Sequence, residues 1–565
     1  MNRKHGLIAI PLILIVLAFG SAAILSQANT VTLTGVAKGF GGDVTVTVTL
    51  QDGKIIDVKA EGPYETPGIS TPAFENIPAA IVAAGHPDVD VVSGATVTSR
   101  AIINAVKNAL DPENFPAPAT VEKQATAPKA VTAAKVYQGL GLSNLHRFGP
   151  GSDDTGTPVY SVNQVIAHAL FDEAGRILAL YVDQLEVATP NYDGAGMPHF
   201  SGFPGQGGYN WDKDHDGKVD GKTPDTEDQF VAEIAGWQTK RQRGDSYRMG
   251  TGTWAEQMDA FQELFAGMTV DEVEEWFVKY TSDRNGRPLK PDATNEQDKA
   301  KFEALSSEEQ AMLADVVTRA TMSLNDSHGD IIAAIRAAWE NRVPLDIDSA
   351  AGIGLGVHNM GRIGPGSDDT GTPVYSINQV FAGTVFDEDG RILALYVDQL
   401  EVATPNYDGA GMPHFSGFPG QGGYNWDKDH DGKVDGKTPD TEDQFVAEIA
   451  GWQTKRQRGD SYRMGTGTWA EQMDAFQELF AGMTVDEVEE WFVKYTSDRN
   501  GRPLKPDATN EQDKAKFEAL SSEEQAMLAD VVTRATMSLN DPHGDIIGAI
   551  KASYESMVAI DVTVE

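Results

Sequence analysis

Apolar and polar positions first alternate strictly at Val44, Val46 and Val48, interleaved with Thr45, Thr47 and Thr49; Asp52-Gly53 then turns the chain ahead of Ile55, Ile56 and Val58. A period of two broken by Asp-Gly predicts a β-hairpin. The period then lengthens, because Ile102, Ile103, Val106 and Leu110 recur at helical spacing. Further on, the run "VYSVNQVIAHALF", a turn at Gly175 and the run "RILALYV" predict a second hairpin, with helical segments after it. Trp254, Met258, Phe261 and Phe265 share one helical face and read as core, and Thr269 with Glu272 makes a capping box for the next helix. Strands with segregated helices predict the α+β class: a small antiparallel-sheet domain followed by two larger near-identical repeats.

The repeats are plain in the sequence. Arg176 to Asp326 recurs without change as Arg391 to Asp541, and "GPGSDDTGTPVYS" begins at both Gly149 and Gly364. Units of this size are duplicated domains, not solenoid turns. The expected organisation is a targeting segment at 1–30, a first domain at 31–111, and a Pro/Ala-rich linker at 112–134. Repeat one then spans 135–345 and repeat two 346–565. Arg3 and Lys4 precede an uncharged run from Gly6 to Leu25, about twenty residues and long enough to span a bilayer. It is expected to anchor an extracytoplasmic protein in the cytoplasmic membrane, or to release it if cleaved.

Composition narrows the chemistry. With 84 acidic against 45 basic residues in 565, the net charge of −39 repels phosphate backbones and excludes a nucleic-acid partner. The chain contains no cysteine, which excludes disulfides, cysteine-held iron–sulfur clusters, thiolate zinc sites and C-x-x-C-H haem attachment. A redox role would therefore require an organic cofactor, or a metal held by oxygen and nitrogen.

One string carries candidate chemistry. Asp90, Ser93, Gly94, Ala95, Thr96 and Thr98 fall in "DVVSGATVTS", directly before the helical "RAIINAVKNAL". Small residues at a helix start let backbone N–H groups approach an anion, and the helix end adds partial positive charge. The residues alone define an anion site with hydroxyls at hand; an ordinary capped helix is the alternative.

The string resembles the flavinylation motif of the FMN-binding domain family, found in the sodium-pumping quinone reductase and Rnf-type complexes. The resemblance covers about residues 31–111. It implies that a separate flavin transferase joins FMN through a phosphoester to the final hydroxyl, here Thr98. Ser93, Gly94, Ala95 and Thr96 would form the recognition turn, and Asp90 the upstream acid. The repeats hold a variant: Asp315, Thr318, Ala320, Thr321 and Ser323 in the first, and Asp530, Thr533, Ala535, Thr536 and Ser538 in the second. These resemble the larger FMN-binding domains of surface proteins used in flavin-based extracellular electron transfer. The resemblance implies up to three covalent FMN groups. Arg319 and Arg534 stand where the motif has glycine. A left-handed backbone there would be strained by arginine; alternatively, the guanidinium would face the phosphate.

A second constellation is "DKDHDGKVDG", at Asp212 and again at Asp427. Asp212, Asp214, Asp216, the Lys218 carbonyl and Asp220 take the spacing of a calcium loop, as do Asp427, Asp429, Asp431, Lys433 and Asp435. Position twelve is Thr223, so Asp225 or Glu227 is expected to complete the shell around a structural calcium ion. A solvated acidic turn is the alternative.

Together these features predict an electron carrier that relays electrons from a membrane quinol-oxidising donor to an external acceptor. Two alternatives are an FMN-dependent reductase of one terminal acceptor, and a calcium-stabilised surface protein with vestigial flavin motifs. Reductases of the fumarate-reductase type also need a dinucleotide-binding domain, and no G-x-G-x-x-G lies between a strand and a helix here.

Overall fold

In the computed structural model the early alternation becomes an antiparallel sheet. The structure describes residues 30–39, 43–62, 71–89, 91–92, 96–112, 114–115, 129–192, 196–407 and 411–565. The chain divides into two units, 1–127 and 128–565. The expected anchor lies outside the described residues, as does most of the expected linker. Among the described residues no helix is long and apolar enough to cross a membrane. The class is α+β.

In the first unit, β1 (Thr30–Lys38), β2 (Asp43–Gln51) and β3 (Lys54–Glu61) form the sheet, in that order. Val44, Val46 and Val48 are fully buried, as the alternation requires. Asp52 and Gly53 both take positive φ, the geometry of a tight hairpin turn. Leu50 pairs with Ile55 but Thr49 with Asp57, so Ile56 is an extra residue on β3. That bulge lets Ile55 and Val58 both face inward while Ile56 points to solvent. Helices α1 (Thr71–Ala84) and α2 (Thr96–Leu110) cover the inner face.

The second unit holds both copies. In the first, β5 (Val136–Ser152), β6 (Pro158–Phe171) and β7 (Ile177–Ala188) form a meander closed by Val343–Leu345. In the second, the strands Ser349–Ser367, Pro373–Phe386 and Ile392–Ala403 repeat it, and Val558–Val564 closes that sheet. The residues Val131–Ala133 form β4, which pairs in parallel with Val558–Val564.

Strand β6 is buried on both faces, which explains its nearly continuous apolar run. Val165, Ala167, Ala169 and Phe171 pack against helices of their own copy. Val162 and Ile166 join a core shared by the two copies, in which the Phe200 and Phe415 rings lie 5.7 Å apart. Tyr160 donates to Glu442 and Tyr375 to Glu227, reciprocal hydrogen bonds of 3.2 and 3.0 Å. Trp254, Met258, Phe261 and Phe265 all lie buried on Trp254–Phe265, and the Thr269–Glu272 capping box is present.

One contact between the copies is asymmetric. His168 of copy one sits over Gly383 of copy two, where an added Cβ would meet its ring at 2.6 Å. Nδ1 of His168 donates to the Gly354 carbonyl and Nε2 accepts from Gln138, each at 2.9 Å, the arrangement of a neutral imidazole. Burial pushes its pKa down to about 3, more than the Gly354 bond raises it. Between about pH 6.5 and 3 the unfolded chain therefore binds a proton that the folded chain does not. Stability is expected to fall by about 1.4 kcal/mol per pH unit across that window. Urea melts at a series of pH values should show this slope flattened in His168→Gln; an unchanged slope would remove His168 as its source.

Candidate functional site

Helix α2 starts at Thr96, which puts Thr98 in its first turn. Thr98 is 4% exposed, and the neighbouring Ser99 hydroxyl accepts the Val92 N–H at 3.1 Å. That bond folds the approach to the motif back onto the helix. Two contacts with β1 fix the helix itself. The Val36 N–H donates to Asn108 Oδ1 at 2.9 Å, and Gly35 lies so close to the Ala105 carbonyl that no side chain fits between them. The first turn of α2 carries no acidic residue. The partial positive charge of that helix end is therefore not offset by a carboxylate within the turn, which favours an anion there. Asp90, Ser93, Gly94 and Ala95, and the side chain of Thr96, lie outside the described residues.

The variant strings in the copies are arranged differently. Asp315 and Thr318 lie within the helix Ser307–Arg319, where the Thr318 hydroxyl donates to the Asp315 carbonyl at 2.7 Å. Thr533 does the same to Asp530. Arg319 is the last helical residue, so no left-handed backbone is asked of it. Its guanidinium pairs at the surface with Glu263 at 2.6 Å, and Arg534 pairs with Glu478 at 2.5 Å. The arginine in the glycine position is thus unstrained, and its guanidinium is held by a surface glutamate. Ala320 and Ala535 are buried caps. The Thr321 N–H donates to the buried Gln257 at 2.8 Å, and the Thr536 N–H to Gln472 at 2.9 Å. Ser323 donates to the Asn285 carbonyl and Ser538 to that of Asn500, each at 2.5 Å. The next helix begins only at Ile331, after a short ribbon, so Ser323 does not open a helix as Thr98 does.

Ser323 instead lines an open pocket with Lys240, Tyr247, Trp254, Arg287 and His328. Ser538 lines its counterpart with Lys455, Tyr462, Trp469, Arg502 and His543. Behind each pocket stands a buried charge cluster. Glu186 meets Arg147 at 3.0 Å and Lys240 at 3.2 Å; Glu401 meets Arg362 at 3.1 Å and Lys455 at 3.2 Å. Burial acts to raise the Glu186 carboxyl, but Lys240, His328 and Arg147 outweigh it and hold it below the ordinary value. Sequence reasoning did not single out these residues. The available signal was a glutamate inside the apolar run of β7. Aromatic walls, cations and a hydroxyl suit a planar aromatic ligand that carries a phosphate, so these residues fit FMN.

The acidic loops fold as tight turns. A two-residue ribbon, Asn210–Trp211 with Gly221–Lys222, closes the first. Asp212 accepts the backbone N–H groups of Asp216 and Gly217 at 3.1 and 2.8 Å, and Asp220 accepts that of Lys213. Carboxylate oxygens of Asp212, Asp214 and Asp216 lie within 4.8 Å of one another, as do those of Asp427, Asp429 and Asp435. The Lys218 and Lys433 ammonium groups pair with Asp216 and Asp431. Neither acid considered for position twelve joins the cluster. Asp225 accepts the Gly207 N–H, and Glu227 faces Tyr375 of the other copy.

Comparison with known proteins places a class on the first unit. Residues 39–111 match the family model described as the FMN-binding domain, and this region is an FMN-binding domain of that family. The chain is 36% identical over 190 residues to a chlorophenol reductase of Desulfitobacterium hafniense, covering 32% of this chain and 51% of that protein. It is 44% identical over 78 residues to an NADH:acrylate oxidoreductase of Vibrio harveyi, covering 14% of this chain and 8% of that protein. The chain spans about half or less of the length of these curated relatives. The FMN-binding domain and the oxidoreductase relatives together support a flavin-based electron-transfer role.

Proposed function

We propose that this protein is an extracytoplasmic, multi-flavin electron carrier. FMN is esterified by a flavin transferase to Thr98, and to Ser323 and Ser538 in the two copies. Residues 1–30 tether it to the membrane, where it takes electrons from a quinol-oxidising donor and relays them to an external acceptor. The observation that carries the reading is Thr98 in the first turn of α2, within the region that matches the FMN-binding domain. Bound FMN supplies redox chemistry that accepts electrons in pairs and releases them singly. The residues of the chain hold and position it. The α2 N-terminus faces the phosphate, Asn108 and Gly35 fix that helix on its sheet, and the Asn285 carbonyl orients the Ser323 hydroxyl. Covalent attachment suits a protein facing a large external volume, because it keeps the cofactor at high effective concentration.

The reductase reading draws on the relatives, one named for chlorophenol and one for acrylate. The match to the acrylate enzyme covers 78 residues and 8% of that protein, about the extent of an FMN-binding domain. Most of that enzyme therefore has no counterpart in the match, and the carrier reading rests on the FMN-binding domain itself. The test is intact-mass measurement after co-expression with a flavin transferase, with UV-excited flavin fluorescence of the denatured band. Up to three FMN increments are expected, with Ser323→Ala and Ser538→Ala each removing one. Unmodified wild-type protein beside a demonstrably active transferase would overturn the proposal.

The two acidic loops are proposed to hold structural calcium, supported by the convergent carboxylates. Calcium at a hundredfold excess over its Kd is expected to stabilise each loop by about 2.7 kcal/mol, read as a rise in melting temperature. Chelator should reverse the rise, and Asp214→Asn with Asp429→Asn should abolish it. A wild-type melting temperature indifferent to calcium and chelator would exclude the ion.

A further inference from the structure

We infer that Lys240 and Lys455, each held by a buried glutamate, are positioning residues that set the reduction potential of a flavin in the pocket beside Ser323 or Ser538. The inference rests on the proposed flavin attachment in the copies. Lys240 is 3% exposed and Glu186 1% exposed, yet Lys240 is one of the residues that line the pocket. Glu186 is shared: one oxygen meets Arg147, and the other meets Lys240 with no aligned hydrogen bond. Arg243 lies against the same wall, its guanidinium 4.0 Å from the centre of the Tyr247 ring. Arg147 and Lys240 thus both bear on the single carboxylate of Glu186, and all three side chains are at most 8% exposed. His328 and Asp326 line the same pocket, their atoms 3.0 Å apart. A positive wall buried in a chain of net charge −39 is a local exception. The second copy repeats the arrangement with Lys455, Glu401, Arg362 and Arg458.

Such a wall discriminates between oxidation states. A flavin ring that takes up two electrons from its donor and one proton from solvent gains one unit of negative charge. A desolvated ammonium stabilises that form over the neutral oxidised one, which raises the potential. Glu186 opposes the effect by neutralising part of the cation's field. The glutamate therefore tunes the lysine, and removing either should shift the potential in opposite directions.

The test is a spectroelectrochemical titration of the full-length holoprotein in a Thr98→Ala, Ser538→Ala background, which leaves the Ser323 flavin alone. Lys240→Met is expected to weaken the preference for the reduced form tenfold, a fall of about 30 mV for a two-electron couple. Glu186→Gln, which keeps shape, is expected to raise the potential, and Lys240→Arg to restore it toward wild type. Should Lys240→Met fail to fold, the sign of the Glu186→Gln shift still decides. Shifts of one sign in both variants, or no shift in either, would overturn the inference while leaving the flavin in place. Ser323 found bare by mass would instead sink the reading beneath it, and the inference with it.

Discussion

Thr98→Ala is expected to abolish flavin attachment in the first domain while leaving that domain folded. Alanine is the best helix former, and the lost contacts amount to one methyl and one hydroxyl, on the order of 1 kcal/mol. The chemical loss is expected to be total, because among the described residues no other hydroxyl takes the same place. Ser99 is fully buried and its oxygen accepts the Val92 N–H, so it is committed to holding the approach to the helix. Thr98→Ser should keep the flavin. Ser99→Ala should keep it as well, at a cost of about 1 kcal/mol in stability. Peptide mapping of the three variants, with thermal melts alongside, separates loss of the acceptor from loss of the fold. A flavin retained in Thr98→Ala would move the attachment elsewhere.

The largest structural effect is expected from Gly141→Val. Gly139 and Gly141 on β5 lie directly beneath the helix Ile331–Glu340, and a Cβ on either would sit far inside contact distance of the Ala338 or Ala334 carbonyl. The opposing atoms are backbone, so the whole helix would have to lift. That helix carries Ile331, Ile332 and Ile335 into the core of its copy, and it follows the ribbon behind Ser323. A loss of roughly 4 kcal/mol or more is expected, in the range of severe core disruption. Gly354 and Gly356 make the same approach in the second copy. Gly53→Ala is the contrast: positive φ but open space around it, so a loss of about 1 kcal/mol. Urea melts of the two variants should rank them in this order. A Gly141→Val protein as stable as Gly53→Ala would show that the close approach is not required.

Local signals were the legible ones. The Val/Thr alternation, the Asp52-Gly53 turn, the apolar face of Trp254–Phe265 and the Thr269–Glu272 box each depend on residues close in sequence, and the structure contains each of them. The bulge at Ile56 was hidden because a one-residue insertion shows only against the partner strand. The pockets were hidden for a stronger reason. Ser323 meets Lys240, Arg287 and Trp254 only after strands and helices far apart in the chain have packed, and no spacing encodes that meeting. The arginine in the glycine position looked like a problem for the motif. It proved to lie at a helix end, paired with a glutamate 56 residues away. Matching a motif by residue type aligns Ser323 with Thr98 but says nothing of the different surroundings of the two hydroxyls.

The imidazole of His168 resting where Gly383 has no side chain makes the two halves of the second unit unlike partners. Two first halves would set one imidazole against another, and two second halves would leave a hollow. Only the mixed pair closes, and a single polypeptide guarantees that each half always meets its complement. Joined this way, the pair needs no encounter in solution and does not come apart when the surroundings are dilute.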